Sequence, residues 1–409
     1  MQLYYIDFME TYTSYTAVFF WILLFFCFFY AIIDILLMVG LWVSKYKNQR
    51  SIRNFYRTAN HVPPYFSVLI SARNEEENLA QCLDSILKQD YEGKWDIWVA
   101  DDRSTDSTVK ILKDYCDKYP DKINFIAITE TPAGRTPKKH ALSELADKAL
   151  GNIFVLTDAD CIVPPTWLSS YIPHFRKGVE WVSGYSYLIS PEASPALAGI
   201  QALDFMSHRT IDAAAVGLIH PITACGQNLA YRKRTFKDIG GFEGIFHIVS
   251  GDDDLLLNKL VKVRPYAVAY CTDPQNHVQS LGKSTWREAW EQRKRWASKT
   301  PNYTLSTTVF LSFIFLFYLL IFLSLPTAAI FSVFLKSPLP ILAAAFAFLW
   351  KSLFDFLVML NGWWIFGSQN LKKWYIPTAL IHIPLIVLAV ISGIMGKFHW
   401  KDQKVKRKQ

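Results

Sequence analysis

The order of apolar and polar positions divides the chain into two membrane parts with a mixed part between them. Residues 16–44 are almost continuously apolar, and three more apolar stretches occupy about residues 305–335, 342–366 and 375–395. Each is as long as the roughly 20 residues that a membrane-spanning helix needs. The first stretch lacks the basic start and the small-residue cleavage site of a signal peptide. We therefore predict a membrane anchor in residues 1–52, a soluble domain in residues 53–301, and transmembrane helices with a basic tail in residues 302–409.

The mixed part alternates between strand-like and helix-like segments. Short apolar runs predict buried strands at residues 67–72, 97–100, 123–127 and 153–156. Helical spacing of apolar residues predicts helices at residues 75–88, 104–115 and 138–149. This alternation predicts an α/β fold in which helices cover both faces of a mostly parallel, doubly wound sheet. Sheets of this kind bind ligands beyond the carboxyl ends of their strands.

Basic residues cluster on one side of the first apolar stretch. The only charged side chains before that stretch are those of Asp7 and Glu10. The basic residues that follow it are Lys45, Lys47, Arg50, Arg53 and Arg57. Because basic segments next to membrane helices stay in the cytosol, we predict a multi-pass protein of the cell (inner) membrane with a cytosolic soluble domain.

The basic tail after Gly396 leaves the number of membrane crossings open. The same rule favours a cytosolic tail, but crossing by all three C-terminal stretches would put the tail outside. The stretch at residues 342–366 is the weakest span, since Lys351 and Asp355 lie near its middle. That stretch could be re-entrant or rest against other helices. Asp34, the one charge inside the first stretch, is expected to face protein rather than lipid.

Composition narrows the classes of partner and cofactor. The net charge is +8, but many basic residues flank the apolar stretches, where they favour anionic lipid headgroups. No nucleic-acid partner is therefore predicted. The six cysteines are scattered without a C-x-x-C pair, which argues against a zinc site or a disulfide framework and fits a reducing compartment.

Acidic residues follow three of the predicted strands. Asp158 and Asp160 come after the strand at residues 153–156, Glu75 follows the first strand, and Asp101 and Asp102 follow the second. Carboxylates along one rim of a sheet would repel each other without a cation, and oxygen ligands suit Mg²⁺ or Mn²⁺. Asp158 and Asp160 therefore predict a divalent metal site, and a metal at this rim predicts a nucleotide substrate.

Seven sequence motifs follow one another between Phe66 and Lys299. They are Ile70-Ser-Ala-Arg-Asn-Glu-Glu, Val99-Ala-Asp-Asp-Arg-Ser-Thr-Asp-Ser-Thr, Lys138-Lys-His-Ala-Leu, Thr157-Asp-Ala-Asp, Gly226-Gln-Asn-Leu-Ala-Tyr-Arg with Ile239-Gly-Gly-Phe, Gly251-Asp-Asp-Asp-Leu, and Gln292-Arg-Lys-Arg-Trp. In this order they resemble the motifs of the family 2 glycosyltransferases, which have a GT-A fold. In the sixth motif, Gly251 stands where the family has Glu. The resemblance implies a GT-A-type doubly wound mixed sheet flanked by transmembrane helices.

The resemblance also implies roles for individual residues. Those implied to bind the nucleotide are Glu75, Asp101, Asp102, Lys138, Lys139 and Asp158, and those implied to hold the metal are Asp158 and Asp160. Those implied to contact the acceptor or the leaving pyrophosphate are Gln292, Arg295, Trp296 and Asn228. The catalytic base is expected at Asp252 or Asp253. Asp252 is preferred, because counting back from Leu255 gives it the position of the family's second acidic residue.

The function implied is an inverting, metal-dependent transfer of a sugar from a nucleotide-sugar, expected to be a UDP-sugar, to a membrane lipid or lipid-linked acceptor. Residues 283–299 are basic and amphipathic, which predicts a helix on the inner membrane surface and favours a membrane acceptor. A processive envelope polysaccharide synthase is an alternative, because it shares the Q-x-x-R-W motif. A non-catalytic membrane scaffold or transporter subunit is an alternative from another class, which the charges at Asp34, Lys351 and Asp355 would suit. The intact set of carboxylates favours the enzyme.

Overall fold

A computed structural model describes residues 2–57, 62–299, 302–395, 398–400 and 403–405. Most of the predicted basic tail lies outside these residues. The helices are α1 Gln2–Arg57, α2 Leu79–Leu87, α3 Thr108–Lys118, α4 Pro137–Lys148, α5 Trp167–Tyr171, α6 Pro195–Gly217, α7 Lys233–Asp238, α8 Asp254–Val263, α9 Trp286–Ala297, α10 Leu305–Phe334, α11 Leu339–Phe366 and α12 Tyr375–Met395. The strands are β1 Phe66–Ala72, β2 Trp95–Asp102, β3 Ile123–Ile128, β4 Ile153–Leu156, β5 Trp181–Gly184, β6 Ser186–Ile189, β7 Leu229–Arg232, β8 Val268–Cys271, β9 Val278–Leu281, β10 Phe398–Trp400 and β11 Gln403–Val405.

A seven-stranded mixed sheet forms the centre of the soluble part. Its strand order is β3-β2-β1-β4-β7-β5-β8, with β7 antiparallel to both of its neighbours and the other pairs parallel. Side chains alternate across the sheet, so Val68 and Ile70 of β1 pack on one face with α2, while Leu69 packs on the other face with α4 and α8. The predicted doubly wound mixed sheet is confirmed.

The second strand extends further than its apolar run predicts. β2 reaches Asp102 because Ala72 of β1 pairs with Asp101, and Asp102 pairs with Ile128 of β3. Backbone pairing on both sides thus holds two acidic residues inside the sheet. The carboxyl ends of β1, β2 and β4 lie side by side, and the residues that follow them meet at one rim.

Among the residues that the structure describes, four helices are long and apolar enough to cross a membrane. The first, α1, continues as one helix to Arg57, beyond the residue 52 at which the sequence divides anchor from domain. It packs closely on α6 of the soluble part, where a Cβ added to Gly217 would lie 1.8 Å from the carbonyl oxygen of Gly40. Only glycine permits this backbone contact, which fixes the anchor against the domain.

The last of these helices, α12, contacts the soluble part at both of its ends. Just before it, Trp374 packs on α6, where a Cβ added to Gly199 would lie 2.1 Å from the indole ring. Near its other end, a Cβ added to Gly393 would lie 2.6 Å from the carbonyl oxygen of Lys294 in α9. The 21 residues of α12 measure roughly 30 Å. Over this length α12 stays alongside α6 and α9.

Candidate active site

One cleft, with a volume of ≈ 420 Å³, opens beyond the carboxyl ends of the central strands. It gathers most of the residues that the sequence nominates, from six of the seven motifs. Those that line it are Glu75, Asp102, Lys138, Asp158, Asp160, Asp252, Asp253, Gln292, Arg295 and Trp296. The sheet brings the first motifs together because parallel strands end at the same rim. The loop before α8 and the helix α9 close the cleft from the other side.

Asn228 lies outside the cleft and is fully buried, with 0% of its surface exposed. Its amide nitrogen donates to the backbone carbonyls of Tyr185 and Asn276, both at 2.8 Å. Its carbonyl oxygen accepts from the indole of Trp167 at 2.8 Å and from the hydroxyl of Tyr171 at 2.5 Å. The structure therefore does not bring Asn228 into the site, and its bonds tie the start of β7 to α5 and to the backbone at Tyr185 and Asn276.

Asp101 and Lys139 are also buried and do not line the cleft. Asp101 accepts a long hydrogen bond, 3.4 Å, from the backbone nitrogen of Ser104. The ammonium of Lys139 donates to the carbonyl oxygens of Ile248 and, at 2.8 Å, Ser250. Burial lowers the pKa of Lys139 to about 8. Lys139 thus holds the loop that leads to the three aspartates, while its neighbour Lys138 points into the cleft.

Lys138 joins the rim of the sheet to the aspartate loop. Its ammonium nitrogen lies 2.8 Å from Asp158 Oδ1 and 2.9 Å from Asp252 Oδ2. Burial would lower the pKa of Lys138, but the two carboxylates outweigh burial and hold that pKa well above its usual value. Burial would raise the pKa of Asp252, but Lys138 and Lys139 outweigh it and hold that pKa below the usual range. Asp252 is therefore ionised at neutral pH.

Asp160 lies near other carboxylates, and the charge of Lys283 offsets their effect only in part. Burial raises the pKa of Asp160 to about 6, and the nearby carboxylates of Asp158 and Glu75 add to the rise. A divalent cation bound here would relieve this repulsion, so the residues present fit a metal. Among the residues that the structure describes, no group of three His, Cys, Asp or Glu side chains is placed to hold one. Asp158 and Asp160 would leave the other ligand positions to substrate oxygens and water.

The three consecutive aspartates have different surroundings. Asp252 is 13% exposed and faces Lys138. Asp253 caps α8, with one oxygen accepting from the backbone nitrogen of Asp254 at 2.7 Å and the other from that of Gly226 at 2.9 Å. Gly251 precedes them with φ +86°, a left-handed conformation that favours glycine. The sharp turn at Gly251 thus sends each aspartate in its own direction.

Asp254 also lines the cleft, where it forms a buried ion pair with Lys299. Its Oδ2 lies 2.5 Å from the ammonium of Lys299 and accepts from the hydroxyl of Tyr303 at 2.5 Å. Burial lowers the pKa of Lys299, but Asp254 outweighs burial and raises it. This pair joins the start of α8 to the segment between α9 and α10.

The cleft contains polar residues that sequence reasoning missed. His208 and Arg209 of α6 line it together with Lys283. Burial lowers the pKa of His208 to about 4, and the charge of Arg209 contributes, so this imidazole is neutral. Arg209 is itself paired with Asp212 at 2.9 Å. The sequence could have indicated them, because charged residues interrupt the otherwise apolar segment that forms α6.

One part of the cleft wall consists of apolar side chains from the candidate membrane helices. Leu311 of α10 and Ile386, Ala389 and Val390 of α12 line it, next to Trp296. These helices are apolar enough to cross a membrane. One continuous cleft therefore joins a charged rim to an apolar wall.

Comparison with known proteins places this geometry among enzymes that transfer sugars. Residues 67–240 match the family model described as Glycosyl transferase family 2. The beta-monoglucosyldiacylglycerol synthase of Synechocystis sp. is 27% identical over 248 residues, which are 58% of this chain and 48% of that protein. The glycosyltransferase AglE of Haloferax volcanii is 25% identical, over 46% of this chain and 59% of that protein. The chain spans about half the length of these curated relatives.

A solved structure shares the fold over nearly the whole chain. The mannosyltransferase PcManGT from Pyrobaculum calidifontis, in complex with GDP-Man and Mn²⁺, superposes with a TM-score of 0.50. The match covers 90% of this chain and 99% of that one at 18% sequence identity. At this identity the likeness shows the fold alone.

Proposed function

Because residues 67–240 form a family 2 glycosyltransferase domain, we propose that the protein transfers a sugar from a nucleotide-sugar donor to a lipid acceptor in the membrane. One observation supports this above the others: a single cleft runs from the acidic rim of the sheet to apolar side chains of α10 and α12. The rim suits a diphosphate with its cation, and the apolar wall suits a hydrocarbon chain. Relatives named as beta-monoglucosyldiacylglycerol synthases give the lipid acceptor further support.

The donor end of the cleft fits a nucleotide diphosphate with a divalent cation. Asp158 and Asp160 would hold the cation, which when bound would offset the charge on the departing diphosphate. Lys138 and Arg295 line the same space and would bind phosphate oxygens. The solved structure of the mannosyltransferase with GDP-Man and Mn²⁺ supports this combination of donor and metal. Uridine is our expected base, and GDP-linked donors belong in the same screen.

Asp252 is the base that the contacts favour. The acceptor hydroxyl oxygen would bond to the anomeric carbon as the bond from that carbon to the diphosphate breaks, and the hydroxyl proton would pass to Asp252. A single displacement of this kind inverts the anomeric configuration. Lys138 restrains the basicity of Asp252 through its contact at 2.9 Å. A diphosphate that draws Lys138 toward itself would make Asp252 more basic once the donor is bound.

The proposed orientation places the cleft in the cytosol, at the inner surface of the cell membrane. The basic residues after residue 44 support a cytosolic domain, because such residues remain on the inner side. The contacts of α12 with α6 and α9 at both ends support a tail on that same side. When α1, α10 and α11 cross the membrane and α12 does not, the domain and the tail both lie in the cytosol. This arrangement satisfies both the charge pattern and the packing.

A donor screen tests the proposed function. Purified protein in detergent, with Mg²⁺ or Mn²⁺, would be given UDP-glucose, UDP-galactose, UDP-N-acetylglucosamine or GDP-mannose and a total membrane lipid extract. Mass spectrometry should show one sugar added to a lipid species. Glu180→Gln serves as a matched control, since Glu180 lies outside the cleft and pairs with Arg234. A ladder of sugars would identify a polysaccharide synthase instead, and donor binding without transfer to any lipid would contradict the proposal.

A further inference from the structure

Charged side chains inside the membrane bundle take no part in the chemistry described above. Lys351 Nζ lies 2.6 Å from Asp355 Oδ2, and the hydroxyl of Tyr30 donates to Asp355 Oδ1 at 2.5 Å. Asp34 and Asp355 line a cavity of ≈ 90 Å³ between α1, α6, α10, α11 and α12. Ionisable groups in such surroundings are costly, and they occur with partners and with a role. Asp34, Lys351 and Asp355, the three charged residues of the apolar stretches, thus lie close together.

The row of polar contacts continues from the bundle into the soluble part through His382 of α12. Lys351 Nζ lies 3.0 Å from His382 Nδ1, and His382 Nε2 lies 3.8 Å from Asp204 Oδ1 in α6. A neutral imidazole suits both neighbours, because its bare Nδ1 accepts from the ammonium while its Nε2–H faces the carboxylate. The row therefore passes from α11 through α12 to α6.

Asp204 ends this row by pairing with Arg293 of α9, inside the Gln292-Arg-Lys-Arg-Trp296 motif. The two side chains are in direct contact and only 1% and 8% exposed. The guanidinium carbon of Arg293 lies 4.3 Å from the ring centroid of Trp296, and that ring packs at 6.3 Å from the ring of Phe205. Trp296 lines the cleft beside its apolar wall. The ion pair thus fixes an aromatic side chain at that end of the cleft.

We propose that Asp204 is a positioning residue for the acceptor end of the cleft. Its ion pair with Arg293 holds α9 and Trp296 against α6, and His382 with Lys351 ties this pair to the membrane bundle. The inference rests on the proposed function, since it takes a membrane lipid as the molecule bound at that end. The donor groups Asp158, Asp160 and Lys138 make no contact with this pair in the hydrogen bonds and ion pairs of the described residues.

Two variants test the proposal, Asp204→Asn and the neutral pair Asp204→Asn with Arg293→Gln. In Asp204→Asn, kcat/KM for the lipid should fall between about 10- and 100-fold, mostly through the acceptor KM, as a misplacement of about 1 Å can produce. UDP affinity should stay at the wild-type value. The neutral pair should be more thermally stable in detergent than Asp204→Asn alone, because it leaves no buried charge without a partner. It should keep the raised acceptor KM. Glu180→Gln, which alters a different ion pair, should match the wild type.

Either of two kinetic results would overturn the proposal. One is a wild-type acceptor KM in folded Asp204→Asn. The other is a wild-type acceptor KM in the neutral pair, which would limit the ion pair to a role in stability. Amide hydrogen exchange over α9 separates this proposal from the proposed function. If the wild-type protein binds UDP but glycosylates no lipid, the proposed function fails, and unchanged exchange at residues 286–297 in Asp204→Asn would refute the positioning role independently.

Discussion

Replacement of Asp252 by Asn tests the assignment of the catalytic base with little change in shape. Asn keeps one oxygen and the side-chain volume but cannot accept the proton of the acceptor hydroxyl. A general base contributes roughly 10²- to 10⁴-fold to a rate, which corresponds to about 2.7–5.4 kcal/mol of the activation barrier. We expect turnover to fall by that factor. Lys138 keeps its contact with Asp158 at 2.8 Å, so UDP affinity should be retained.

The matched control is Asp253→Asn, which removes the same charge one residue away. Both oxygens of Asp253 already accept backbone hydrogen bonds, from Asp254 and Gly226. Asn keeps only one of these two acceptors, so we expect a loss of about 1–3 kcal/mol of stability, with turnover of the folded variant close to that of the wild type. The two variants therefore separate proton transfer from support of the loop.

The assay measures single-turnover transfer to lipid and, in parallel, UDP binding by calorimetry. Loss of transfer in Asp253→Asn together with activity in Asp252→Asn would move the base by one residue. Loss of UDP binding in both variants would show that the cluster is structural and that the base lies elsewhere.

Three further predictions concern the metal, the tail and the apolar wall. Asp160→Asn should abolish transfer, because an amide is a weaker ligand for a hard cation; near-normal transfer in excess chelator would refute a metal requirement. A cysteine in place of Gln403, in a variant without the native cysteines, should react with an impermeant maleimide only after cells are permeabilised, and labelling of intact cells would show that α12 crosses the membrane. Val390→Trp should block the apolar end of the cleft, raising the KM for a long-chain lipid while leaving UDP affinity and transfer to a short-chain soluble analogue unchanged; equal rates for both acceptors would argue against lipid entry there.

The local order of apolar and polar residues was sufficient to predict the elements that line the donor end of the cleft. The strand at Ile153–Leu156 was predicted with its observed bounds, because a short apolar run that is buried on both faces has few alternatives. The carboxylates after β1, β2 and β4 were predicted to share one rim because parallel strands of one sheet end on the same side. These conclusions depend only on which residues follow each strand.

The directions of side chains within motifs depended on contacts between distant segments. Asn228 stands in a motif nominated for the acceptor, yet it is bonded to Trp167 and Asn276 across the core. The three aspartates share one residue type, and only the turn at Gly251, with φ +86°, separates their roles. Lys138 and Lys139 are adjacent, but consecutive residues of a helix point about 100° apart, so one enters the cleft and the other supports a loop.

Hydropathy alone determined that four segments are apolar enough for a membrane, and tertiary packing determined which segments one of them contacts. The sequence shows α12 as a candidate span, because composition and length are local properties. Its contacts with Gly199 of α6 and with Lys294 of α9 come from residues far away in the chain. The same is true of the pair formed by Asp204 and Arg293, 89 residues apart by their numbers. The sequence determined the first four strands, the rim of carboxylates and the apolar stretches, since each follows from neighbouring residues. The tertiary structure decided which charges pair and which helix lies on the domain, since these follow from packing between segments that no local pattern relates.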